Sequence, residues 1–89
     1  MSELEISELQ SKCLNKILKE NINKLRDKEI QNKIGYKLFN MDYEIILSIN
    51  NISKITEIIE KSIEIENYKK AFRYLFLLNR TIDNLIRDI

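Results

Sequence analysis

Apolar residues recur every seven positions in the last third of the chain, and this repeat constrains its fold more than any other feature. Ile58, Ile65, Phe72, Asn79 and Ile86 fall seven apart, and Lys61, Tyr68, Leu75, Ile82 and Ile89 follow each by three. Eight of these ten positions are apolar. This is the a and d pattern of a coiled coil, and it predicts a helix from about residue 55 onward that lies against another helix. Asn79 falls at an a position, where a buried amide costs stability but fixes register and partner number.

Composition restricts the rest of the chain to the same class. The 89 residues suffice for one domain, 1–89. There is no Pro, Val, Trp or His, and one Gly and one Ala. Strands favour Val, Thr and aromatics between frequent turns, and that signature is missing. An all-α fold follows. The abundant Ile and Asn support helix less well than Leu and Lys, so packing must hold the helices. Net charge is +1 and nothing in it favours nucleic acid or an anionic membrane. The charge is uneven: residues 42–66 carry two basic and six acidic groups, and residues 67–89 five basic and two acidic. No apolar run approaches 18 residues, the length a membrane helix needs.

Upstream, Ser2 and Glu5 form a capping-box pair. Apolar residues then recur by three and four from Ile6 through Leu14, Leu18, Ile22, Leu25, Ile30, Ile34 and Leu38 to Ile45. Cys13 reads as a small core residue of this stripe. Gly35 reads as a tolerated weak point inside a helix. Residues 48–53, with paired Asn50 and Asn51 and a capping Ser53, make the best turn. Breaking there gives two long helices, 2–47 and 53–88, of about 69 and 54 Å, which form an antiparallel coiled-coil hairpin. A rival break at 35–42 would use Asp42 as N-cap. A third pattern, Ile45, Ile49, Ile52, Thr56, Ile59 and Ile63, would carry one helix straight through Asn50 and Asn51. Acid-first i,i+4 pairs are Glu20/Lys24, Glu29/Lys33, Glu57/Lys61, Glu66/Lys70 and Asp83/Arg87.

The residue types that carry catalysis are largely missing. Without His there is no Ser-His or Cys-His nucleophile pair and no usual zinc set. No glycine-rich loop can cradle phosphate. Arg73, Arg80 and Arg87 fall at heptad b, with the charge outward. The chain reads as no enzyme and needs no cofactor or metal. The excess is hydrophobic. In the frame that places Phe72 at a, Phe76 is e, Leu77 is f and Leu78 is g, while Ile59 and Ile63 fall at b and f. Apolar side chains pointing off a two-helix seam need another surface. That surface is a third helix of the chain, a second copy of it, or a foreign amphipathic helix. The basic and aromatic stretch 68–74 carries less weight for nucleic acid, because Tyr68 and Phe72 read as seam residues.

One segment resembles a known family. Glu20-Asn21-Ile22-Asn23-Lys24-Leu25, followed by Lys28-Glu29-Ile30-Gln31, is similar to the keratin-like K domain of plant MADS-box transcription factors. The match covers about 12 residues and ends at Lys33, where the next Leu would fall. A helical chain of this length that carries it and is dominated by Ile, Lys and Asn, whose codons are rich in A and T, resembles the phyllogens, secreted phytoplasma effectors. That resemblance implies a mature protein acting in the host cytoplasm and nucleus. It implies binding to floral MADS-box factors and their delivery to the proteasome through a ubiquitin-shuttle protein. A mimic would offer Leu18, Ile22, Leu25 and Ile30 from the first helix and the Phe72–Ile86 stripe from the second; the apolar excess off the seam adds Ile59, Ile63, Phe76, Leu77 and Leu78 to the expected partner-binding residues. The alternative is a phage or bacterial inhibitor or immunity protein that acts by helix-bundle contact in the cytoplasm.

Overall fold

The structure, a computed structural model, describes residues 2–89. Its elements are α1 (Glu3–Asn23), a 3₁₀ turn (Lys24–Arg26), α2 (Lys28–Phe39), α3 (Tyr43–Glu64) and α4 (Tyr68–Asp88). Among the described residues there is no strand, and the all-α expectation holds. Every helix begins on a short polar side chain that satisfies a free amide. Ser2 accepts from the Glu5 N–H at 3.2 Å, and Asp27 from Glu29 and Ile30 at 3.0 and 3.2 Å. Asp42 accepts from Ile45 and Asn67 from Lys70, both at 3.3 Å. Each cap stabilises its helix by about 1 kcal/mol.

The hairpin of two long helices turning at 48–53 is corrected here. Residues 48–53 lie inside α3, which is helical without a break from Tyr43 to Glu64. Ile45, Ile52, Ile55, Ile59 and Ile63 are buried on one face, while Asn50 and Asn51 are exposed. Asn lowers helix stability by a few tenths of a kcal/mol. Burying an Ile is worth about 1.5–3 kcal/mol. The stripe therefore carries the helix through the two asparagines.

The chain turns instead at 40–42, the rival site, and again at 65–67, which the unbroken heptad had hidden. The two corners are built alike. The Met41 N–H bonds to the Leu38 carbonyl and the Asp42 N–H to Lys37, both at 3.0 Å. Glu66 and Asn67 repeat this onto Ile63 and Ser62 at 3.0 and 2.8 Å. These are Schellman closures, with the left-handed position held by Met41 (φ 56°) and Glu66 (φ 61°). In each, the residue after it also caps the next helix. Gly35 sits inside α2, as its in-phase neighbours had indicated.

Heptad phase explains the second corner. Continued by sevens, the buried stripe Ile45, Ile52, Ile59 would arrive at Glu66, Arg73 and Arg80. The buried residues of α4 are Ala71, Leu75, Leu78, Ile82 and Leu85, two positions out of phase. One straight helix cannot turn both stripes to a common core, so the chain breaks and reverses. α3 and α4 then pack along their lengths and supply ten of the thirteen buried apolar side chains. α1 adds Leu14 and Leu18, and α2 adds Ile34.

α1 runs parallel to α4. Its first turns meet the start of α4, where the Ser7 and Tyr68 hydroxyls hydrogen-bond at 2.7 Å. The 3₁₀ turn that follows α1 meets Asn79 and Asp83 through Lys24. The Gln31 side-chain amide donates to the Leu25 carbonyl and closes the corner into α2. Of the expected i,i+4 pairs, Glu29/Lys33 and Glu57/Lys61 form, at 3.6 and 3.0 Å. Lys24 is drawn across to α4 instead, and Arg87 pairs with Asp88. The molecule measures 52 × 21 × 16 Å, with a radius of gyration of 15.0 Å. A compact chain of this length would have about 12 Å.

Candidate functional site: the α1–α4 groove

On α4, Phe72 and Phe76 lie one turn apart beside the buried Leu75. They remain 61% and 71% exposed. Across from them, the parallel α1 presents Gln10, Cys13, Ile17 and Asn21 at the same helical spacing. Two adjoining hollows result, and both include Phe72. One is lined by Gln10, Cys13, Leu14, Tyr68 and Lys69, the other by Ile17, Asn21, Leu75, Phe76 and Asn79. Together they form a shallow groove with an aliphatic and aromatic floor.

Polar bridges bound the groove at both ends. At one end stands the Ser7–Tyr68 hydrogen bond. At the other, the Lys24 ammonium donates to Asn79 Oδ1 at 2.8 Å and pairs with Asp83 at 3.2 Å. Along the outer side of α4, Lys69, Arg73 and Arg80 are exposed, and none forms an ion pair among the described residues. The arginines thus point outward, as their heptad position indicated.

The expected partner-binding residues divide into three groups. Leu18, Ile59, Ile63 and Leu78 are buried in the chain's own core, Ile59 and Leu78 completely. The expectation that Ile59 and Ile63 point off the helix–helix seam is corrected: they belong to α3's own buried stripe. Ile22, Leu25 and Ile30 are half-buried against that core. They do not share one helix, because residues 20–31 span the end of α1, the 3₁₀ turn and the start of α2. Phe76 and Leu77 are exposed, as an interaction surface requires.

Three further readings change. Phe72 is no seam residue. The seam of α4 runs through Tyr68, Ala71, Leu75, Leu78 and Ile82, which leaves Phe72 at its edge. Cys13 is exposed rather than buried. Asn79 is half-buried at the α1–α4 boundary, where it fixes α1 through Lys24 rather than lying inside a two-helix seam. Reasoning from sequence missed Gln10, Cys13 and Ile17 as groove residues. Their spacing of three and four was visible, but only the parallel course of α1 gives that face a function.

A second apolar surface lies at the α2–α3 corner, where Tyr36, Phe39, Met41 and Tyr43 are all exposed. Among the described residues no three His, Cys, Asp or Glu side chains converge on a common point. Among the same residues no helix is long and apolar enough to cross a membrane. No protein-family model, curated protein or solved structure matches the chain.

Proposed function

We propose that this chain is a non-enzymatic interaction module that takes a helix of another protein into the α1–α4 groove. The observation that carries this reading is the exposure of Phe72 and Phe76 next to a core that is already complete without them. Two aromatic rings one turn apart, on a floor continued by Cys13 and Ile17, suit the i, i+3, i+4 anchors of an amphipathic helix. Aromatic side chains carry a large share of binding energy where they are desolvated on contact.

The test is fluorescence anisotropy with a labelled 21-residue peptide that has Leu at a and d and Gln at its outward positions. Saturable binding is expected. A Phe72→Ala/Phe76→Ala double variant should bind at least about tenfold more weakly. Its circular dichroism should match the wild type, since neither ring is buried. A double variant that binds as the parent does would place the helix elsewhere.

Narrowed by the resemblance, the partner is the K domain of a floral MADS-box factor and the chain a secreted effector. Support for that narrower reading is the match over residues 20–31 alone. A pull-down with such a K domain tests it, and a wild-type chain that captures none removes it while leaving the groove reading intact.

A further inference from the structure

The charges around the groove are one-sided. Lys69, Arg73 and Arg80 form a row on the outer side of α4, beside Phe72 and Phe76. The two acidic residues of that helix are both engaged, Asp83 with Lys24 and Asp88 with Arg87. On the opposite wall Gln10 and Asn21 are neutral, and Lys16 and Glu20, which follow Cys13 and Ile17 along α1, offset each other. Among the described residues, the rim therefore holds three cations without an ion-pair partner. From Lys69 to Arg80 the row spans about 16 Å, or three helical turns. The Lys24 bridge closes the groove just beyond it.

We infer that the occupant is an acidic amphipathic helix of about three turns, with Asp or Glu flanking its apolar face. This rests on the α1–α4 groove being the helix site. An apolar ridge on the partner would lie over Cys13, Ile17, Phe72 and Phe76. Carboxylates seven residues apart on that helix would match the seven-residue interval between Arg73 and Arg80. Arginine suits this role, since its planar fork can bind a carboxylate with two parallel hydrogen bonds. A charged rim of this kind sets the choice of partner and the rate of encounter, while the aromatic floor sets the residence time.

The experiment uses the full chain and three labelled 21-residue peptides with the same Leu face and with Glu, Gln or Lys at the outward positions. A 12-residue oligouridylate is the fourth probe. The Glu peptide should bind at least about tenfold more tightly than the Gln peptide, with an affinity that falls as salt is raised. The Lys peptide should bind least. An Arg73→Glu/Arg80→Glu variant should reverse the order of the Glu and Lys peptides. The single cysteine provides a readout within the groove: the Glu peptide should slow reaction of the Cys13 thiol with a disulfide reagent.

Equal binding of all three peptides would overturn the charge preference and keep the groove as a helix site. Failure of all three would overturn both. Oligouridylate that binds and displaces the Glu peptide would assign the cationic row to nucleic acid. Self-association of the chain that excludes the Glu peptide, seen by ultracentrifugation, would assign the groove to a second copy.

Discussion

Met41 and Glu66 hold left-handed backbone, which costs a residue with a Cβ roughly 1–2 kcal/mol. Glycine escapes most of that cost, at the expense of greater freedom in the unfolded chain. Met41→Gly and Glu66→Gly should therefore each raise stability in urea denaturation by up to about 1 kcal/mol. Glu66 would lose only an exposed hydrogen bond from Ser7 at 3.3 Å. Gly35 is in the opposite position. It is helical and exposed, and a Cβ there meets nothing within 4 Å, so Gly35→Ala should gain about 0.5–1 kcal/mol. Losses of stability at Met41 and Glu66 would show that the corners are misplaced, and a loss at Gly35 that this residue is not helical. The same residues explain why the corners could not be read from the sequence. Glycine is the cue for a left-handed cap, and the single glycine of this chain stands inside a helix. Asp42 was a legible cap because its side chain alone signals a helix start. Asn67 was hidden by a heptad that counts on through it.

The register of α3 against α4 decides most of the architecture. A heptad drawn backward from Ile86 through Phe72 picks up Ile65 and Ile58, and so runs on across the break. Ile65 proves to be exposed, and Ile58 only half-buried. The stripe that organises α3 is the one that passes Asn50 and Asn51, and it was visible beside its rivals. What the sequence could not supply was the weight of the opposing terms, a few tenths of a kcal/mol per Asn against several buried isoleucines. Of the candidate site, Phe76 and Leu77 were legible as apolar excess. Phe72 was not, because a frame shifted by one position took it for core. A substitution separates the two architectures by its sign. With Asn50 and Asn51 on the outer face of a continuous helix, Asn50→Ala/Asn51→Ala should raise the stability by about 1 kcal/mol in total, and the melting temperature with it. A turn at these positions would make the same change destabilising.

Across the whole molecule, anchoring is unequal, and the groove lies on the weaker side. α3 and α4 share ten buried apolar residues, whereas α1 is held by Leu14, Leu18 and the bridges at Ser7 and Lys24. Leu4, Ile6 and Leu9 on its first turns are all exposed. Segments with few buried contacts open locally at low free energy. Amide exchange should therefore be slowest around Ile59, Leu78 and Ile82, which are fully buried, and fastest over residues 3–10. α1 is also one wall of the groove, so a bound helix must hold it in place. Saturation with the Glu peptide should slow exchange across residues 9–17 by more than it slows α3, because the ordering on binding falls where order was lacking. Equal protection of α1 and α3 in the free protein would mean that the wall is already rigid. Protection on binding confined to residues 36–43 would move the contact to the aromatic corner between α2 and α3.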